Sequence, residues 1–162
     1  MNQTTKINIA DVHEFMVRHL ADVFDTMLSM KAVLMPKAEL PSFGERVSGS
    51  AGFGGEKVTG AVYLHLSEPF AKRVAAAMLG LSPEEITGES EVNDVVGEAA
   101  NMLTGGLKSW LCDAGSECAV STPAIIRGTS FAIEPMPNVE REWLVFECGQ
   151  DRFVVEVHLK FN

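Results

Sequence analysis

The sequence predicts an α+β fold, a mostly antiparallel sheet with two long helices and one shorter helix packed on it. Three observations predict it. Residues 8–29 and 90–113 repeat apolar side chains every three to four positions, the period of a one-faced helix. Residues 46–66 repeat them nearer every two, around a glycine-rich turn, as a hairpin does. Beyond residue 115 the chain reads as strand candidates separated by proline, glycine or charged turns, which leaves helices to cover a face of the sheet.

The first helix is expected from about Asn8 to Ser29. Asn8 can cap it, and Asp11 falls in the first turn, where an acid suits the helix dipole. Ile9, Val12, Phe15, Met16, Leu20, Val23, Phe24 and Met27 form its apolar face over about five turns. Pro36 and Pro41 bracket an irregular connection. Strands from about Arg46 to Phe53 and Val58 to Leu66 follow, joined by GGEK. Ser67 caps a shorter helix that carries Pro69 in its first turn and ends at Gly80. After SPEEITGES the third helix runs from about Ser90 to Asp113, with Gly115 as its stop. ECAVS, FAIEP, REWLVFECG and RFVVEVHLKF are the remaining strand candidates, the last two paired around GQD.

At 162 residues the chain suits one domain spanning 1–162, since a fold of this length buries roughly two thirds of its unfolded surface. A net charge of -9 disfavours nucleic acid and anionic membranes as partners. No apolar run approaches the roughly 20 residues that span a bilayer, and the start, MNQTTKINIADVHEFM, lacks the apolar stretch of a secretory signal. No membrane insertion and a cytoplasmic location are expected. Cys112, Cys118 and Cys148 form no CxxC pair and read as free thiols, with an adventitious disulfide between Cys112 and Cys118 open under oxidation.

The third helix carries the chemistry. On a helical wheel Asp94, Glu98, Asn101, Gly105 and Lys108 fall within about 40° of one line. Val92, Val95, Val96, Ala99, Leu103, Leu107 and Trp110 lie opposite, so burial selects that side and leaves Glu98 and Asn101 outward. A carboxylate can hold a cation by charge. An amide three residues on can donate to one group and accept from another without changing protonation, which suits orienting a water. Gly105 is a flat place for another backbone to approach, and Lys108 can meet an acidic or phosphorylated group. Solvent-facing Glu, Asn and Lys are equally content in water, so spacing by itself does not separate use from solvation.

The segment VNDVVGEAANMLTGGLKSWL resembles the signature helix of the CheX-like branch of the CheC/CheX/FliY chemotaxis phosphatases, whose motif is an acid, two residues and an asparagine. The likeness extends upstream to GAVYLHLSEPFAKRVAAAMLG, Gly60 to Gly80, and downstream to STPAIIRG, Ser121 to Gly128, covering the chain from about residue 48. The helix at about 8–29 is divergent. The resemblance implies hydrolysis of the aspartyl phosphate of a CheY-like response regulator, with Asn101 orienting the attacking water and Glu98 pairing with a receiver lysine. Asp94, Gly105 and Lys108 become docking residues. It implies Mg2+ in the receiver's acidic pocket and no cofactor bound by this chain. One copy of the motif further implies a homodimer joined through the sheet. A noncatalytic module that binds a receiver domain or a motility protein would use the same stripe.

Other constellations are weaker. His13, His19, His65 and His158 are scattered and form no zinc motif, His65 being expected on the less buried side of its strand and His13 and His19 near the polar side of the first helix. SAGFGGEK departs from the phosphate-loop pattern, and no G-x-S-x-G is present.

Overall fold

The computed structural model describes residues 6–162; Met1–Thr5, the beginning of the segment read for a secretory signal, lies outside them. Helix α1 (Ile9–Leu28) begins at a capping box. The Asn8 side chain accepts from the Asp11 amide and the Asp11 carboxylate accepts from the Asn8 amide, which satisfies two otherwise orphaned N–H groups. It ends at Ser29 in the left-handed conformation, φ 52°. Val12, Met16, Leu20, Val23, Phe24 and Leu28 are buried, whereas Met27, expected on that face, is 44% exposed.

Among the described residues the sheet has seven strands: β1 (Val33–Leu34), β2 (Glu45–Gly54), β3 (Val58–Ser67), β4 (Ala119–Val120), β5 (Ala124–Thr129), β6 (Glu140–Cys148) and β7 (Asp151–Phe161). Their order is β1-β6-β7-β3-β2, and the far edge of β2 is shared by β4 at Phe53–Gly54 and β5 at Glu45–Ser50. Every pairing is antiparallel. Helix α2 (Glu68–Leu79) starts at the Ser67 cap and stops at Gly80, and α3 (Glu89–Asp113) follows a short 3-10 turn at Pro83–Glu85.

One face of the sheet holds the core. Val58, Val62, Leu64 and Leu66 of β3, with Phe153, Val155, Val157 and Leu159 of β7, pack against the apolar faces of the helices. No helix of the described residues is long and apolar enough to cross a membrane.

Two strand expectations need correction. FAIEP, read as a strand, is irregular, and Ala124–Thr129 takes its place on the edge of β2. The reason is competition for one edge. β5 occupies the ladder opposite Glu45–Ser50, Ser130 at φ 52° turns the chain away, and Phe131 onward folds across the sheet without a strand to pair with. ECAVS contributes only Ala119–Val120. Its continuation is interrupted at Ser121, whose amide donates to Gly52 O while its hydroxyl accepts from the Gly52 amide; Pro123 beyond it has no N–H to give a ladder.

Candidate functional site

Helix α3 is seated from three directions. Below it, a Cβ on Gly49 of β2 would stand 2.8 Å from Val96 O, so the glycine lets the helix rest almost on the strand backbone. At its start, Arg127 of β5 donates to Asn93 Oδ1 and to Glu68 Oε2, each at 2.7 Å, which joins the first turns of α2 and α3. Toward its end, α1 lies against it: His19 Nε2 donates to Met102 O at 3.2 Å, and Phe15 stacks on Trp110 with ring centroids 5.0 Å apart.

These contacts divide the glycine pair in the helix. A Cβ on Gly106 would stand 2.0 Å from His19 Nε2, so this position is where α1 closes on α3. A Cβ on Gly105 would meet nothing within 4 Å. The two neighbours therefore serve opposite sides of the helix, one inward and one open.

The predicted buried side is buried: Val92, Val95, Val96, Ala99, Leu103 and Leu107 lie in the core, and Trp110 is partly covered. The structure keeps the five singled-out residues on the other side. Asp94 and Glu98 are exposed, and Asn101, Gly105 and Lys108 are half-buried. Among the described residues, neither Glu98 nor Asn101 makes a side-chain hydrogen bond or ion pair, so both remain available to an external group.

Two flanking features escaped sequence reasoning. Pro123 and Ile125 stand beside Gly97, 4.0 Å and 3.8 Å from where its Cβ would be. Of the interrupted edge that places them, β4 falls within ECAVS, whereas β5 was not legible as a strand. Cys112 lies one turn beyond Lys108 on the same stripe, where its thiol donates to Cys118 O at 3.7 Å. All three cysteines are free, and burial, with Cys112 close by, pushes the Cys118 thiol up.

The sheet face turned away from the helices holds a second polar group of residues. His65, expected on a less buried side, is 2% exposed. Its Nε2 donates to Glu156 Oε1 at 3.1 Å, since a carboxylate has no proton to give, and its Nδ1 shares a hydrogen bond with Ser48 Oγ at 2.6 Å. His158 donates to the other oxygen of Glu156, and Arg141 Nε lies 3.3 Å from it as a charge pair without hydrogen-bond alignment. Burial pushes the Glu156 carboxyl up, but the hydrogen bonds from the two imidazoles, together with their charge, outweigh it and hold the group below its ordinary range. His13 also departs from expectation: it reaches from α1 to Glu142 Oε1 at 2.7 Å. His19, likewise expected near the polar side of α1, is half-buried and faces α3. Among the described residues no three or more His, Cys, Asp or Glu side chains are placed to hold a metal.

The α+β layer has its longest helix buried on one side and leaves an acid and an amide on the other open to an external group. The chain belongs to the family described as chemotaxis phosphatase CheX, whose model matches residues 47–147. No curated protein matches it. Among solved structures it is similar to the chemotaxis protein CheX of Vibrio vulnificus, with 26% identity, a TM-score of 0.78, and coverage of 96% of this chain and 100% of that one. A CheC-like superfamily protein from Shewanella sp. PV-4 is 28% identical at a TM-score of 0.75, covering 95% and 99%. The Borrelia burgdorferi CheX solved with CheY, BeF3 and Mg2+ shares the fold at a TM-score of 0.75 and 19% identity, over 91% of this chain and 97% of that one. A 96% share leaves too few residues to exclude the 20-residue α1, so the divergent helix belongs to the shared fold.

Proposed function

We propose that this chain, acting as one domain, hydrolyses the aspartyl phosphate of a CheY-like response regulator, with Asn101 orienting the attacking water and Glu98 pairing with a receiver lysine. The observation that carries the reading is the outward pair of exposed Glu98 and half-buried Asn101, without partners of its own among the described residues, on a helix packed from behind in a chain of the CheX family. An acyl phosphate already has a good leaving group, so placing water in line supplies much of what remains. A neutral amide suffices for that. The Borrelia relative solved with CheY, BeF3 and Mg2+ supports a receiver as partner. Mg2+ is then carried by the receiver and no cofactor by this chain.

Asp94 and Lys108 would steer the receiver, and Gly105 would receive its backbone. The single motif fits a homodimer joined through the sheet and carrying two sites, which light scattering on the purified protein checks. The reading predicts phosphate release from phosphorylated receiver domains by wild-type protein and its loss in Asn101→Ala. Equal release by both would overturn the water-orienting role. Receiver binding with no acceleration by either would make the chain a noncatalytic module.

A further inference from the structure

The sheet face opposite α3 carries a cavity of about 320 Å³, room for about ten waters and near the lower size of small-molecule sites. Its walls are formed by two segments that cross the sheet, 40–43 and 131–134, together with Trp143. Arginines hold one segment in place. Arg46 donates to Phe131 O and Arg141 to Ile133 O. The Arg46 guanidinium also lies 3.5 Å from the centroid of Phe131 and 5.4 Å from that of Phe43, so its plane is fixed between two rings.

The charges in this cavity are unevenly matched. Glu156 at its floor is shared by His65, His158 and Arg141, and Arg141 also meets the exposed Glu134 at 3.4 Å. Arg46 has no carboxylate within 4.0 Å among the described residues, and the carbonyl of Phe131 is its one protein acceptor. A guanidinium has five N–H donors, so most of those on Arg46 lack a protein partner. Burial pushes its pKa down, and the more distant Glu156 offsets this only in part.

We propose that this cavity binds a small organic monoanion, a carboxylate on a planar apolar body, with the carboxylate on Arg46 and the body between Phe43, Phe131 and Trp143. A guanidinium presents a planar fork that matches a carboxylate with two parallel hydrogen bonds, and the rings on either side hold that fork ready. One uncommitted cation beside an ionised Glu156 favours a single negative charge over a phosphate dianion. Apolar walls favour a body over a bare ion. The site lies on the far side of the sheet from Glu98 and Asn101 and is independent of the phosphatase reading.

Titrating isotope-labelled protein with benzoate and following the Trp143 indole N–H by NMR, assigned with Trp143→Phe, tests the proposal. Benzoate should shift that signal saturably, at least tenfold more tightly than methyl benzoate or acetate. Arg46→Met should weaken benzoate at least tenfold, about 1.4 kcal/mol, and Arg46→Lys should weaken it less. No saturable shift at millimolar benzoate would overturn the site. Equal affinity for methyl benzoate, or for benzoate in folded Arg46→Met, would overturn the role of Arg46. Should Arg46→Met fail to fold, the comparison of benzoate with its methyl ester in wild-type protein decides the same point.

Discussion

Under the proposed function Glu98 and Asn101 ask different things of a partner, and their substitutions should part accordingly. Asn101→Ala removes an oriented amide from a site where geometry supplies the rate, so dephosphorylation should fall about a hundredfold while receiver binding, followed by calorimetry, changes little. Glu98→Ala removes a charge at the edge of a protein interface. Its main effect should be weaker docking, seen as a KM raised by about tenfold and a rate more sensitive to salt. Both residues were legible in the sequence because a helix that buries Val95, Val96 and Ala99 must turn Glu98 and Asn101 outward. His65 was not. Its neighbours Leu64 and Leu66 define the core face, so the strand period turns His65 away from it, and only the cover of segments 40–43 and 131–134 makes that second side buried.

At the scale of the element, α3 carries two adjacent glycines with opposite surroundings, and alanine should separate them. Gly105→Ala meets open space and gains helix propensity, so thermal unfolding should show roughly 0.5 to 1 kcal/mol of added stability. If a receiver backbone approaches there, the same substitution lowers dephosphorylation despite the firmer helix. Gly106→Ala drives a methyl into the His19 ring and should cost about 1 to 3 kcal/mol by the same measurement, since α1 must shift or His19 must leave Met102 O. Sequence spacing placed both glycines on the helix and offered Gly105 as a place for another backbone to approach. Which glycine packs and which stays open depended on where α1 lies, and α1 is joined to α3 through the whole of the first hairpin and α2.

At the scale of the molecule, the sheet divides two kinds of burial. One face is apolar beneath the helices, and the other holds the ionised Glu156 among His65, His158 and Arg141. Because the folded carboxyl is held below its ordinary value of 4.5, this group stabilises the fold fully above that value. The contribution is lost as pH falls through the lower folded value, where the native carboxyl itself takes up a proton. Acid unfolding of wild-type protein and Glu156→Gln should therefore differ most at neutral pH and converge below the ordinary carboxylate range.

The sequence by itself determined the three helices, the two hairpins and the outward pair on α3, since caps, turns and apolar periods are local and each element reports its own buried side. Tertiary structure decided which strand holds the free edge of β2, why FAIEP leaves the sheet, and how a face with alternating polar residues became covered. The physical reason is that a strand's period names two faces but does not say what lies over either one. Here the cover comes from segments 40–43 and 131–134, far from His65 and Glu156 in sequence and brought over them only by the completed sheet.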